Sequence, residues 1–274
     1  MPVDALLLAL AAAVVHATWN LLLSGSEDTH SATAVALITG AIVFAPVAVI
    51  TWRLEGSAWP YIAASSSLEL VYLVLLATAY AGAAMGFVYP IARGSAPVLV
   101  LVAGAVVSTS RPTAAAACGV VLVALGIVLV RGLRTAARPR DLGLALAIGA
   151  CIAGYTLVDK HGVAHGNPLA YLQVVFTIAA LGYFAGTWRS RGLPAIRAAA
   201  SPSSLLAGVG FFGSYALTLA ALRLASAATV AAVRESSVVI AAAALVLSGR
   251  EPFGRGRVAG AALVAAGVAL ISLG

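Results

Sequence analysis

The chain has 274 residues, of which 62% are hydrophobic and only 9% are charged, whereas a soluble domain usually carries about 25% charged residues. This balance excludes a water-soluble globule, which would lack polar surface, and a disordered chain, which would be less hydrophobic. The net charge of +7 comes from arginines dispersed along the chain, and attraction to anionic lipid headgroups explains it better than nucleic-acid binding does.

Long runs without Asp, Glu, Lys or Arg indicate how the chain uses lipid. Four of them cover residues 5–26, 29–52, 70–92 and 198–222, and each has the roughly 20 residues that a helix needs to cross a bilayer. The period-two alternation of a membrane β-barrel is absent. The pattern predicts an all-α integral membrane protein with ten transmembrane helices, over residues 3–23, 32–51, 60–81, 84–107, 113–130, 142–159, 168–188, 202–224, 227–247 and 258–273.

The two halves of the chain match each other when the sequence is shifted by 141 residues. Arg93 then falls on Arg234, and two glycines of the fifth span fall on two glycines of the tenth. Because each half holds five spans, an odd number, the second half enters the membrane in the opposite orientation. The sequence therefore predicts two inverted five-helix repeats, 1–134 and 141–274, joined by a basic linker at 135–140. The alternative is chance similarity between Ala- and Gly-rich segments.

Four charged residues lie inside the predicted spans: Glu69, Arg93, Arg234 and Glu235. A charge at the centre of a membrane helix costs about 2.5–3.5 kcal/mol on insertion scales, so it usually faces a cavity or a partner. Arg234 and Glu235 are adjacent in sequence and are expected to point about 100° apart on a helix. We therefore expect pairing across helices, Arg93 with Glu235 and Glu69 with Arg234. The alternative is a structural ion pair that only locks the bundle.

Two prolines flank Arg93 in the fourth span, Pro90 and Pro97. Proline removes a backbone donor and clashes with the preceding turn, so this helix is expected to bend or break there. Tyr89 and Arg93 lie on one face, four residues apart. An arginine can bind a carboxylate or phosphate group in a bidentate manner, which makes Arg93 a candidate solute ligand. A kink needed only for packing is the alternative.

Polar and aromatic residues of the first and sixth spans complete the candidate site. His16 and Asn20 lie on one face of the first span, with Trp19 close by. Tyr155 and Asp159 have the same four-residue spacing in the sixth span, at a shift of 139 residues. These positions correspond in the two halves, which favours a shared site. For His16, a hydrogen-bonded packing role is the alternative.

The same residues suggest a coupling ion and a solute class. A buried acid can carry a coupling proton, and the candidates are Glu69, Asp159 and Glu235. Paired arginines favour anionic or zwitterionic solutes such as amino acids, whereas the aromatic residues suit a pocket for apolar drugs equally well.

Three classes of function are open to a helical membrane protein of this composition. A secondary transporter agrees with inverted repeats, which surround a midplane site in many such proteins. An integral membrane enzyme requires a cluster of acids or a His/Asp pair at a membrane face, and the sequence has none. A channel or scaffold does not need charged helices in each half. Neither a metal motif nor a Walker motif is present, so no metal, cofactor or ATP is expected.

Four segments carry recognisable motifs: residues 16–20 (HATWN), 89–97 (YPIARGSAP), 155–160 (YTLVDK) and 233–238 (VRESSV). Together they resemble the EamA family of the drug/metabolite transporter superfamily, and the resemblance covers essentially the whole chain. It implies ten helices in two inverted repeats and transport of small solutes across the bacterial cytoplasmic membrane. Family members often carry Gly-Glu before the last span, and Glu251 corresponds to that glutamate.

We therefore expect a multi-pass secondary active transporter that exports small metabolites or drugs by alternating access at a midplane site, with the proton as candidate coupling ion. Two indications of its orientation in the membrane disagree. Connections after odd-numbered spans hold ten arginines, against four basic residues on the other side. The positive-inside rule then places both termini outside the cell, whereas the resemblance implies that both are inside.

Overall fold

The computed structural model describes residues 1–82, 85–107, 112–131, 138–249 and 254–273, and no strand lies within these ranges. Residues 83–84 at the predicted third boundary, 135–137 of the predicted linker and Glu251 lie outside them. The described α-helices are α1 (Val3–Ser24), α2 (Thr29–Ile50), α3 (Trp59–Gly82), α4 (Met85–Val107), α5 (Ala114–Arg131), α6 (Pro139–Gly162), α7 (Pro168–Ala198), α8 (Pro202–Leu224), α9 (Ala227–Arg234), α10 (Ser237–Leu247) and α11 (Arg255–Leu273).

The helices present a lipid-facing exterior. Eight stretches of the described chain are helical, long and apolar enough to cross a membrane, and α5 is a shorter apolar helix. Large apolar side chains point outward, with Ile50 83% and Leu247 88% exposed. Contact of such surface with water is unfavourable by about 25 cal/mol per Å², and contact with hydrocarbon removes that cost. The chain is therefore an integral membrane protein.

The interruption of a span occurs in a different helix from the one expected. α4 does not break, since it is helical from Met85 to Val107 with both prolines inside it. Neighbouring membrane helices can satisfy the backbone groups that a proline frees. The ninth predicted span is divided instead, because α9 ends at Arg234 and α10 begins at Ser237. There the N–H of Ser236 bonds to the carbonyl of Val233 at 3.1 Å, which tightens the chain into a turn.

Packing within the bundle joins helices from the two halves. α1 packs against α8, α3 against α6, and α2 against both α7 and α8. α4 contacts α5, α6 and α9, while α1 also touches α9 and α10. α1, α4, α6 and α9 therefore meet near the centre of the bundle, where most of the predicted site residues lie.

Glycines bring α5 and α11 into direct backbone contact. A Cβ on Gly119 would lie 2.6 Å from the carbonyl oxygen of Gly267, and a Cβ on Gly126 would lie 2.6 Å from that of Gly260. The reverse approaches, from Gly267 and Gly260, are equally close. Small residues allow membrane helices to approach this closely and to pack by van der Waals contact.

We expect Gly126→Leu to destabilise the fold strongly, because the new side chain meets the backbone of α11 rather than a flexible group. Overpacking typically costs about 1–3 kcal/mol, and rigid backbone places this site at the upper end. Gly186→Leu in α7 is the matched control, since a Cβ there meets nothing within 4 Å. Thermal unfolding in detergent compares the two variants. Equal melting temperatures would contradict the prediction.

Candidate functional site

A buried ion pair links α4 to the turn between α9 and α10. Nη1 of Arg93 lies 3.0 Å from Oε1 of Glu235, with the residues 5% and 1% exposed. The predicted contact between these two residues is therefore present. The expectation that Arg234 and Glu235 point apart is wrong, because Nη2 of Arg234 lies 3.8 Å from the same oxygen. Glu235 follows the last residue of α9 and turns back toward its neighbour.

Arg93 also contacts α1. Its Nη2 lies 2.6 Å from Nε2 of His16. Because a guanidinium can only donate, the His16 Nε2 accepts, and the ring is neutral with its proton on Nδ1. The rings of His16 and Trp19 meet edge-on at 4.9 Å, and Asn20 donates to the His16 carbonyl at 2.8 Å. The Arg93 Cζ lies 5.6 Å from the centre of the Tyr89 ring, a cation–π distance.

Glu69 on α3 is buried without a direct partner. It is 3% exposed, and it makes no ion pair or hydrogen bond with any side chain in the part of the chain that the structure describes. The predicted contact between Glu69 and Arg234 is therefore wrong, because Arg234 turns toward Glu235. Glu69 still lies within electrostatic range of Asp159, Arg234 and Arg93.

Asp159 on α6 accepts hydrogen bonds from two tyrosines. The hydroxyl of Tyr171 donates to Oδ1 at 2.8 Å, and that of Tyr215 donates to Oδ2. Asp159 is fully buried. Tyr155 lies between Tyr72 and Tyr215, with ring centres 6.1 Å from each. Tyr171 was not among the site residues predicted from the sequence, although a tyrosine hydroxyl inside an apolar span indicates that a polar partner lies nearby.

Lys160, the residue after Asp159, has a structural role at the end of α8. Its Nζ donates to the carbonyl oxygens of Leu222 and Ala225 at the end of α8, at 2.9 Å for Ala225. These carbonyls have no partner within their helix, and a cation there also complements the helix dipole. Lys160 therefore caps α8, and the side-chain partners of Asp159 are the two tyrosines rather than Lys160.

A cavity of about 510 Å³ reaches the charged cluster. Five predicted site residues line it: His16, Trp19, Asn20, Tyr89 and Arg93. Its other lining residues include the aromatic Tyr72 and Phe211 and the polar Ser237. Glu69, Tyr155, Asp159, Arg234 and Glu235 lie behind this lining rather than in it. The volume falls in the range of about 300–1,000 Å³ that is typical of small-molecule sites.

The cavity extends to one end of the bundle. Ser24, Thr29 and Arg257 line it there, at the end of α1 and the starts of α2 and α11. Beside this rim, Arg191 pairs with Asp28 at 3.1 Å. Partial burial acts to raise the pKa of Asp28, but hydrogen bonds from Ser31 and the charge of Arg191 bring it below its usual value.

At the opposite end of the bundle two connections, residues 53–57 and 165–167, pair with each other, and we call them the strap. Leu54 and Gly166 form an antiparallel bridge, flanked by backbone hydrogen bonds of 3.0 and 2.7 Å. Nδ1 of His165 lies 3.0 Å from the Ser57 hydroxyl and 3.4 Å from the Glu55 carboxylate. α2 separates the strap from the cavity rim by about 33 Å, at 1.5 Å per residue.

The fold and the site together define an integral membrane protein in which a one-ended cavity leads to a buried charge cluster. Residues 141–273 match the EamA-like transporter family. This match confirms, over the second half of the chain, the resemblance to the EamA family that the motifs predicted, and it is consistent with the drug/metabolite transporter superfamily.

Comparison with solved structures supports the same fold. A crystal structure of another protein superposes with a TM-score of 0.78 at 17% sequence identity, over 98% of each chain. At that identity the likeness shows the fold alone. The comparison with curated proteins gives no match.

Proposed function

We propose that the chain is a secondary active transporter that exports small metabolites or drugs across the bacterial cytoplasmic membrane. The observation that carries the proposal is a cavity that reaches one end of the bundle and stops at buried charges, while the strap joins two connections at the other end. Alternating access requires such a one-sided state and a second state with the opposite opening.

Helix contacts support the two inverted repeats, 1–134 and 141–274, that such a mechanism uses. Exchanging α1, α2, α3, α4 and α5 for α6, α7, α8, α9–α10 and α11 converts the α1–α8 contact into α6–α3. It also converts α2–α8 into α7–α3, and it leaves α2–α7, α4–α9 and α5–α11 unchanged. With α9 and α10 taken as one span, the described helices are compatible with the ten spans that the proposal requires.

The cavity lining favours small amphipathic solutes. Trp19, Tyr72, Tyr89 and Phe211 offer aromatic faces, while Arg93 offers a cation at the floor. A carboxylate could bind to Arg93 while an apolar group packs on the rings. Amino acids and aromatic drugs both meet this description.

The cavity rim lies at the arginine-rich end of the bundle, where Arg191 and Arg257 are found. By the positive-inside rule this end faces the cytoplasm, so the structure is in an inward-open state that loads solute from inside the cell. That orientation supports export. The opposite orientation, with both termini inside, would make the same state outward-open.

Flux into proteoliposomes tests the proposal. The protein is reconstituted and supplied with labelled amino acids and the cationic dye ethidium, with and without an imposed pH gradient. We expect saturable, gradient-dependent movement of at least one of them, lost with a protonophore and lost in Arg93→Met. Non-saturating flux that Arg93→Met leaves intact would favour a channel.

A further inference from the structure

The buried charges near the cavity floor do not balance when all are ionised. Two arginines, Arg93 and Arg234, face three acids, Glu69, Asp159 and Glu235, and all five are at most 5% exposed. An uncompensated charge in a membrane interior is unfavourable by several kcal/mol, and a buried group neutralises rather than remain alone. One of the three acids therefore carries a proton.

No other group that the structure describes near the cluster supplies the missing positive charge, because Lys160, the residue after Asp159, directs its Nζ to the carbonyl oxygens of Leu222 and Ala225. His16 is neutral, because its Nε2 accepts from Arg93. Glu69 interacts electrostatically with groups on several helices, and those besides the five charges are neutral in their ordinary state: Cys151 and Tyr155 on α6 and Tyr215 on α8. From α7, Tyr171 is turned toward Asp159.

The hydrogen bonds identify which acid holds the proton. Glu235 contacts the guanidinium groups of Arg93 and Arg234, and Asp159 accepts from two tyrosine hydroxyls. Both environments stabilise a carboxylate. Glu69 has neither kind of partner among the described residues and is 97% buried, since its exposed fraction is 3%. We infer that Glu69 is the proton-binding site of this protein and is protonated in this state.

The position of Glu69 connects its proton to the cavity. Tyr72 lies three residues further along α3 and lines the cavity together with Arg93. Loss of the Glu69 proton leaves a carboxylate and a net charge of −1 in the cluster. A solute cation must then neutralise this charge, or entering water must solvate it. On the proposed function, which this step assumes, the Glu69 proton is the one exchanged for solute.

Infrared spectroscopy of the reconstituted protein tests the assignment without any solute. A protonated carboxyl group has a carbonyl band that an ionised carboxylate lacks. We expect this band near neutral pH in the wild-type protein, its loss in Glu69→Gln, and its retention in Asp159→Asn. Glu27→Gln, which removes an exposed glutamate, is the matched control and should keep the band.

Isotope labelling makes the test independent of whether a variant folds. Wild-type protein grown with glutamate labelled at the side-chain carboxyl carbon should show a shifted band, and labelled aspartate should leave it unshifted. Absence of the band in wild-type protein, its survival in Glu69→Gln, or a shift with labelled aspartate would each overturn the assignment. A band on Glu69 without proton-driven flux would refute the transport proposal and leave the proton site standing.

Discussion

Replacing Glu235 with glutamine is expected to lower the free energy of unfolding by about 3–5 kcal/mol and to abolish transport. The change leaves Arg93 and Arg234 buried side by side, since both contact the same carboxylate oxygen at 3.0 and 3.8 Å. Arg93→Met should destabilise less, because Glu235 keeps Arg234 as a partner. Thermal unfolding in detergent and flux into proteoliposomes measure the two effects.

A double variant separates stability from function. Arg93→Met with Glu235→Met removes both members of the pair, and apolar replacement of a buried pair is often neutral. We expect most of the stability to return while transport stays absent. Asp28→Asn is the control, because its pair with Arg191 is half-exposed and contributes at most about 1 kcal/mol. Transport by the double variant at the wild-type rate would remove Arg93 from the solute site.

Fixing the strap closed is expected to stop transport completely. Ser57 and His165 come from the two connections, and their side chains lie 3.0 Å apart. In a background without Cys118 and Cys151, a disulfide between Ser57→Cys and His165→Cys should prevent the strap from opening. Solute could then enter the cavity but never leave at the far side. Flux before oxidation, after oxidation and after reduction gives the measurement.

Single variants provide the controls for that experiment. Ser57→Cys alone and His165→Cys alone should transport equally well before and after oxidation, because neither can close the bridge. A shift in gel mobility shows that the disulfide has formed. Unchanged flux in fully cross-linked protein would show that the strap end stays shut throughout transport.

Some of the site could be predicted from the sequence because a charge inside a membrane needs a partner. Arg93 and Glu235 are charges inside predicted membrane spans, and the need for a partner on another helix led to their predicted pairing, which the structure has. The apolar runs indicated the helices for a similar reason, because hydrocarbon leaves the backbone little choice. Both arguments depend on where charges and apolar runs lie along the sequence and not on tertiary contacts.

Details set by tertiary geometry could not be predicted. The Arg234–Glu235 contact depends on a turn at Ser236 that a regular helix would not contain. Asp159 meets Tyr215 from another helix, 56 residues away along the chain, and no local spacing indicates that approach. The strap joins residues about 110 positions apart. Both segments are predicted from the sequence only as loops between spans, so nothing indicates that they pair.

The glycine contacts between α5 and α11 also restrict how the molecule can move. Gly119 meets Gly267 and Gly126 meets Gly260 with no side chain between them. If one helix shifted by one residue along the other, a neighbouring residue with a Cβ would take the place of a glycine and clash with a carbonyl oxygen. We therefore expect α5 and α11, one helix from each half, to move together as one rigid unit. A rearrangement that opens the strap is then expected to move the other helices relative to this pair.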